Sequence, residues 1–210
     1  RFGFGVFFMS LFLLLTWICA RPMPVAAPVR PNIIVILCDD MGYGDVSCLN
    51  PKGKIPTPEM DTIARQGIRF TDAHSGSAVC SPTRYGLLTG RYAWRGKLKS
   101  GVLGGLSPGL IEQGRLTIAQ MLREKGYQTA AIGKWHVGMD WEKLPGREVA
   151  VLGIESPAQN RNVDYTKPIK NGPNSAGFDY FFGISASLDM IPYAFIENDR
   201  LTQPPTGELE

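Results

Sequence analysis

Residues 117–136 read TIAQMLREKGYQTAAIGKWH, and this stretch predicts a helix followed at once by a strand. Thr117 is a helix cap, the apolar residues after it recur at three- and four-residue spacing, and Gly126 ends the helix. Residues 127–132 then predict a strand that leads into the polar sequence 133–136. A helix that leads directly into a strand is typical of α/β proteins with parallel sheets.

Similar elements are predicted on both sides of this unit. The sequence NIIVIL at 32–37 is rich in β-branched residues and indicates a strand buried on both faces. Residues 140–177 have no periodicity and predict a long irregular insertion near the functional site. We therefore expect an α/β fold with a doubly wound, mostly parallel sheet flanked by helices. Its remaining predicted elements are helices from Thr57 to Gly67 and from Pro82 to Gly90, and strands at 68–70 and 178–184.

The composition is that of a folded protein without a strong bulk charge. The 210 residues include 22 basic and 19 acidic ones, which gives a formal net charge of +3, and 44% of them are hydrophobic. A chain of this size buries enough surface for a real core. The small net charge gives no indication of a nucleic-acid or polyanion binder held by bulk electrostatics, so we expect no nucleic-acid partner, while a local basic pocket stays open.

The N-terminal segment predicts export. Residues 2–20 carry no charge and are rich in Phe and Leu, and small residues at 25–27 offer a cleavage position. We expect residues 1–27 to be a signal peptide and residues 28–210 to be exported to a periplasmic, secreted or lysosome-like compartment. The alternative is a retained membrane anchor, and a membrane partner is expected only in that case.

The cysteine count leaves at least one thiol outside any internal disulfide. Of four cysteines, Cys19 lies in the predicted leader, so Cys38, Cys48 and Cys80 remain. Cys38 and Cys48 either pair with each other or are small buried residues. An odd cysteine in an oxidising compartment needs a chemical explanation.

Two adjacent carboxylates follow the predicted strand at 32–37. Asp39 and Asp40 lie at its carboxyl end, which is the edge where ligands bind in open α/β sheets. Paired carboxylates that are removed from water need a cation between them. Oxygen ligands indicate a hard ion, so we expect Ca²⁺, with Mg²⁺ as the alternative.

A cysteine and several cationic residues are predicted to meet at the same edge. Cys80 lies at the N-terminus of a predicted helix, where the dipole and the free amides favour negative charge. Arg84 is one helical turn further on, and Lys134 and His136 follow the strand at 127–132. Together these residues predict a site for a tetrahedral oxyanion.

Three stretches resemble the sulfatase family in the order in which that family has them. Residues 78–90, AVCSPTRYGLLTG, are similar to its first signature with the core Cys-x-Pro-x-Arg, and residues 126–136 resemble its second signature. Residues 31–44 are similar to the family's opening strand with its metal-binding Asp-Asp. The resemblance, in the manner of the arylsulfatase A and N-acetylgalactosamine-6-sulfatase branch, implies a sulfuric ester hydrolase of alkaline-phosphatase-like fold. It also implies that residues 28–210 are the N-terminal part of a longer catalytic domain.

The resemblance assigns a chemical role to each candidate residue. A maturation enzyme of the host would convert Cys80 to Cα-formylglycine, whose hydrated form attacks the sulfur of a sulfate ester and then releases sulfate by elimination. The implied roles are metal binding by Asp39, Asp40 and the group at Cys80, orientation of that group by Arg84, sulfate binding by Lys134, and base catalysis by His136. The family also has a second pair of metal-binding residues, a second His that protonates the leaving group and a second Lys that binds sulfate. These residues are expected beyond position 210.

Two other functions stay open at this point. Phosphonate monoester and phosphodiester hydrolases use the same nucleophile on phosphorus, and a non-catalytic secreted binding protein would keep the pocket without turnover. The substrate is equally open among aryl sulfates, sulfated glycans and glycosaminoglycan fragments, because specificity depends on loops such as 140–177.

Overall fold

The computed structural model of the chain describes residues 30–149 and 152–205. The chain divides into two compact units, residues 1–41 and residues 42–210. The predicted signal peptide at 1–27 lies outside the described residues. No helix among the described residues has the length and apolar character that a membrane crossing needs.

The predicted strand at 32–37 is wrong in this structure. These residues of the first unit have no regular secondary structure, and their apolar side chains are exposed, with Ile34 at 83% and Ile36 at 77%. A strand that is apolar on both faces needs a hydrogen-bonded neighbour and a covering layer on each side.

Three helices of the second unit confirm the sequence predictions. They are α1 (Pro58–Gln66), α2 (Cys80–Thr89) and α3 (Ile118–Glu124). Helix α3 begins as expected at Thr117, whose side chain accepts a hydrogen bond from the backbone N–H of Gln120 in a capping box. Helix α2 ends at Gly90, which has a left-handed conformation with φ 65°. Short 3-10 helices cover Tyr43–Asp45, Ala93–Arg95 and Pro157–Asn162.

The sheet of the second unit is mixed. Its strands are β1 (Ala130–Lys134), β2 (Tyr180–Ile184), β3 (Ile196–Glu197) and β4 (Arg200–Leu201), in that spatial order. The first pair, β1 and β2, is parallel as predicted, whereas β3 and β4 add antiparallel pairs. The predicted α/β class is confirmed, while residues 68–70, predicted as a strand, are exposed and form none.

Strand β1 begins three residues later than the sequence predicts. The N–H of Tyr127 donates to the carbonyl of Leu122, so this part of the predicted strand closes helix α3 instead. The N–H of Thr129 donates to the Asp179 carboxylate, and the N–H of Asp179 donates back to the carbonyl of Thr129. This reciprocal pair fixes the start of both parallel strands, and regular pairing begins directly after it.

Two glycines allow β1 and β2 to approach closely at their carboxyl ends. Gly133 pairs with Gly183, and a Cβ at position 183 would lie 1.8 Å from the carbonyl oxygen of Gly133. No side chain fits there, so the sequence requires glycine. The core beneath this sheet is formed by apolar side chains from α2, the loop after it and the strand ends: Tyr85, Leu103, Leu106, Trp135, Val137, Met139, Phe181 and Ile196.

The irregular structure predicted for 140–177 is confirmed in the described residues of this segment, which are well packed. It contains a 3-10 helix and two isolated β-bridges, Asp140 with Lys170 and Lys143 with Val163. Its buried side chains Trp141, Val163 and Ile169 join the core. The segment is therefore held by tertiary packing in place of regular secondary structure.

Candidate active site

Cys80 is the first residue of helix α2 and is partly buried. The residue before it, Val79, is extended, and the hydroxyl of Thr83 donates to the carbonyl of Ser77 at 2.8 Å, which ties the preceding loop to the first turn. The first amides of a helix have no intrahelical acceptor, and with the helix dipole they favour a negative charge at this position. The sequence prediction that Cys80 lies at a helix N-terminus is confirmed.

Lys134 brings a positive charge to this cysteine. It is the last residue of β1, and its Nζ donates to Cys80 Sγ at 3.2 Å and to Ser187 Oγ at 3.3 Å. The ammonium group therefore lies between the helix N-terminus and the segment that follows β2. An oxyanion at Cys80 would meet this charge directly.

Arg84 joins helix α2 to the end of β1. Its guanidinium NH1 donates to the carbonyl oxygen of Lys134 at 2.6 Å. The structure therefore brings Cys80, Arg84 and Lys134 together, as the sequence predicts. This contact is with the backbone of Lys134, so through it Arg84 fixes the segment from which the lysine side chain extends.

His136 is fully buried, with the left-handed backbone angle φ 53°. Its backbone N–H donates to the carbonyl of Ser185 at 2.9 Å, and its ring Nε2 lies 2.6 Å from the carbonyl oxygen of Leu103. A carbonyl only accepts, so Nε2 carries a proton, and Nδ1 is the ring nitrogen that remains for proton transfer. A left-handed conformation in a bulky residue persists only where the surroundings impose it, as they do here.

The peptide groups of Leu103 connect His136 with the start of helix α2. The N–H of Leu103 donates to the buried hydroxyl of Ser81 at 3.0 Å, and its carbonyl holds the His136 ring. The loop 103–107 thus lies against both the residue after Cys80 and the imidazole.

A buried carboxylate supports this loop from the other side. Glu155 Oε1 accepts from the N–H of Leu106 at 2.8 Å, and Glu155 is 5% exposed. Its Oε2 is buried without a hydrogen-bond partner among the described residues, and a Cβ at Gly104 would lie 2.0 Å from that oxygen. Burial raises the pKa of the Glu155 carboxyl above its usual range, against the opposing effect of its hydrogen bonds.

Sequence reasoning missed Ser187 and Asp189. Ser187 contacts the Lys134 ammonium, and a hydrogen bond from Ser187 lowers the pKa of Asp189, with further lowering by Lys134 and His136 nearby. Both residues follow the carboxyl end of β2. The rule that drew attention to Lys134 after β1 would have drawn attention to them as well.

Asp39 and Asp40 belong to the first unit and are exposed. Asp40 has a left-handed backbone with φ 54°. Their carboxylate oxygens are donors of the kind that Ca²⁺ prefers, but Ca²⁺ takes about six to eight oxygens, and two carboxylates supply at most about four. Within residues 30–149 and 152–205 no group of three or more His, Cys, Asp or Glu could hold a metal ion.

The described cysteines are all free thiols. Cys38 is exposed, whereas Cys48 and Cys80 are of intermediate exposure. The proposed pairing of Cys38 with Cys48 is therefore not found.

A separate cavity of about 520 Å³, lined by residues such as Lys170, Asn174 and Asp199, contains none of the predicted site residues.

The arrangement around Cys80 can hold a tetrahedral oxyanion. A helix N-terminus and the Lys134 ammonium supply positive potential at one point, and a buried imidazole with a fixed tautomer lies two residues beyond the lysine. These are the elements of a site that stabilises developing negative charge and moves a proton.

Comparison with known proteins identifies relatives along most of the chain. A family model described as Sulfatase matches residues 31–200. An N-acetylgalactosamine-6-O-sulfatase of Bacteroides thetaiotaomicron is 40% identical over 172 residues, which is 82% of this chain and 30% of that protein. Human arylsulfatase A is 41% identical over 173 residues, which is 82% of this chain and 28% of that protein. The chain therefore spans less than a third of the length of these relatives.

A solved structure has the same fold. It is described under the metabolism of multiple glycosaminoglycans by Bacteroides thetaiotaomicron, and it matches with a TM-score of 0.68 and 39% sequence identity. The match covers 82% of this chain and 32% of that chain. The resemblance noted in the three sequence stretches is thereby confirmed, together with the α/β fold of alkaline-phosphatase-like type.

Proposed function

The chain belongs to the sulfatase family, and from that premise we propose that the complete protein hydrolyses sulfuric esters at Cys80. The observation that carries this proposal is the contact of the Lys134 ammonium with Cys80 Sγ at 3.2 Å, at the N-terminus of helix α2. The site offers positive potential where the anionic sulfate group would react.

We propose that Cys80 is converted to Cα-formylglycine by a maturation enzyme. Cys80 is a free, partly buried thiol, and the Lys134 ammonium already lies within hydrogen-bond distance of its side chain. Oxygen accepts from an ammonium more strongly than sulfur does, so the surroundings fit a hydrated aldehyde at this position. When formed, the hydrated aldehyde supplies a nucleophilic hydroxyl together with a second hydroxyl that loses its proton for product release.

We also propose that Asp39 and Asp40 are two of the ligands of a Ca²⁺ ion. The all-oxygen donor set suits a hard cation, and Mg²⁺ is the alternative. A bound divalent ion would act as a Lewis acid on a sulfate oxygen.

The residues of this chain then divide the work of binding and proton transfer. Lys134 pairs with the sulfate oxygens, and Arg84 holds the backbone of Lys134 so that the ammonium stays aimed at position 80. His136 takes a proton at Nδ1, because Nε2 is committed to the carbonyl of Leu103. The backbone amides of the first turn of α2 add positive potential at position 80.

We propose that the reaction takes place outside the cytoplasm. The uncharged stretch at 2–20 supports export with residues 1–27 as a signal peptide, so the partners are a sulfate-ester substrate and the maturation enzyme. We place the protein in a periplasmic, secreted or lysosome-like compartment, where the membrane is a partner only if the leader is retained.

A parallel assay tests the reaction class. The full-length protein, produced together with the maturation enzyme, is given an aryl sulfate and the matching aryl phosphonate. We expect the sulfate to be hydrolysed with the higher kcat/KM, and a Cys80→Ala variant to be inactive. Mass spectrometry of the peptide across position 80 should show conversion of the thiol. Preferential hydrolysis of the phosphonate, or full activity with an unmodified thiol, would overturn the proposal.

A further inference from the structure

Residues 91–99, RYAWRGKLK, form a basic aromatic loop directly after helix α2. No acidic residue lies between Asp72 and Glu112, whereas five basic residues do, and four of them are in this loop. The loop therefore carries a strong local positive charge, in a protein whose overall formal charge is only +3.

Two aromatic rings of the loop form an exposed platform. Tyr92 and Trp94 are stacked with ring centroids 5.7 Å apart and an interplanar angle of 17°. They remain 53% and 58% exposed, and the guanidinium of Arg95 lies 6.0 Å from the centre of the Trp94 ring. Stacked rings that stay in water leave a flat apolar surface next to a fixed cation.

Two cations of the loop, Arg91 and Lys99, are positioned by backbone groups. Arg91 donates to the carbonyl of Arg95 at 3.1 Å, and Lys99 Nζ donates to the carbonyl of Trp94 at 3.0 Å. Among residues 30–149 and 152–205 the structure shows no ion pair between the loop's four cations and a carboxylate. The charges of Arg91 and Lys99 are therefore held in place by backbone carbonyls, and without a carboxylate partner among the described residues the loop's cations are available to an anionic ligand.

The loop borders the segments that carry the candidate active site. It leaves the C-terminus of α2, and the chain returns to Leu103, whose N–H donates to Ser81 beside Cys80. A Cβ at Gly76, in the segment that leads to Cys80, would lie 3.5 Å from the Tyr92 ring. Helix α2 is about 15 Å long, so the loop leaves it at a distance from Cys80 that corresponds to several sugar-sized units along the helix.

We propose that the basic aromatic loop is a subsite for a sulfated glycan chain, one of whose sulfate groups reacts at Cys80. The inference rests on the proposed function and narrows its substrate class. The apolar face of a sugar ring stacks on exposed Trp and Tyr rings, and the sulfate groups of neighbouring sugars pair with Arg and Lys. A small aryl sulfate would fill the reaction site without touching the loop.

Binding without turnover tests the subsite. The full-length protein with Cys80→Ala is titrated by calorimetry with hexasaccharides of chondroitin sulfate and of a sulfated galactan, and with their desulfated counterparts. We expect Trp94→Ala to weaken binding of a sulfated hexasaccharide by about tenfold, while Trp94→Phe retains it. Lys97→Gln with Lys99→Gln should weaken binding by a similar factor and flatten its salt dependence. The matched pair Lys52→Gln with Lys54→Gln, two exposed lysines in another loop, should change neither.

The same loop substitutions in the protein with intact Cys80 separate this inference from the proposed function. We expect kcat/KM for a small aryl sulfate to be unchanged in the Trp94 and lysine variants. Unchanged hexasaccharide affinity in Trp94→Ala would overturn the subsite. Loss of affinity in the lysine variant alone would also overturn it, because that result would indicate nonspecific attraction of a polyanion. Trp94-dependent glycan binding in a protein that hydrolyses no sulfate ester would overturn the proposed function and leave the subsite standing.

Discussion

Lys134 Nζ contacts Cys80 Sγ at 3.2 Å, although 54 positions separate the two residues in sequence. One residue begins a helix and the other ends a strand. The dipole of α2 and the charge of the ammonium therefore act on the same atom from two elements. The contact also explains why two sequence motifs that are far apart form one site.

Removal of the Lys134 ammonium should reduce sulfate-ester hydrolysis without removing the nucleophile. In the full-length protein we expect Lys134→Met to lower kcat/KM for an aryl sulfate by about 100- to 1000-fold, which is the cost of losing one donor to a developing oxyanion. Mass spectrometry across position 80 should show that the modification still occurs. Lys125→Met, an exposed lysine after α3, is the matched control and should have wild-type kinetics. Wild-type kcat/KM in Lys134→Met would contradict the proposed role.

Arg84 should act by positioning Lys134. Its guanidinium donates to the Lys134 carbonyl at 2.6 Å, and loss of a charged hydrogen bond costs about 1.5–3 kcal/mol. We expect Arg84→Ala to lower kcat/KM by about 10- to 100-fold and to lower Tm as well. Arg65→Ala, at the exposed end of α1, is the control and should affect neither quantity. An Arg84→Ala variant with unchanged kinetics would show that the contact has no influence on the site.

The sequence was informative where a local signal decides the structure. The cap at Thr117 predicts the start of α3, which the structure confirms with a capping box to Gln120, and Gly126 predicts its end. The position of Cys80 at a helix N-terminus followed from Pro82 alone. These features depend on neighbours within one helical turn, so no tertiary information is needed.

The sequence was misleading where the structure depends on distant partners. The apolar pattern at 32–37 specifies what a strand would bury, but not which neighbours are available to it. The start of β1 was misplaced because Thr129 binds Asp179, which is 50 positions away. Ser187 follows the carboxyl end of β2, which a strand-end rule would have noted, but its contact with Lys134 depends on the register of β1 and β2, which the sequence does not reveal.

His136 offers a test that separates base catalysis from support of the loop. Gln places an amide N–H near the position of Nε2 and can still donate to the Leu103 carbonyl, but it has no basic nitrogen. We therefore expect His136→Gln to keep a Tm closer to wild type than His136→Ala does, while both lose about 100- to 10,000-fold in kcat. Stopped-flow measurement of an aryl sulfate should show a rapid first release of the alcohol in His136→Gln, followed by slow turnover. If His136→Gln and His136→Ala lost the same stability and both kept the wild-type kcat, the role of His136 would be purely structural.

Glu155 should make the stability of the protein depend on pH. Burial raises its folded-state pKa above the ordinary value of 4.5, so its contribution to the free energy of unfolding is fully present below that value and is lost as the pH rises through the folded-state pKa. In Glu155→Gln the amide oxygen can still accept from Leu106, and no charge forms. Urea unfolding of the full-length protein at a series of pH values should therefore show that the stability of Glu155→Gln relative to wild type increases from about pH 4 towards neutrality. Glu59→Gln, on the exposed face of α1, is the control and should show no such trend. If the relative stability of Glu155→Gln stayed constant or fell over this pH range, the Glu155 carboxylate would not be in an unfavourable environment.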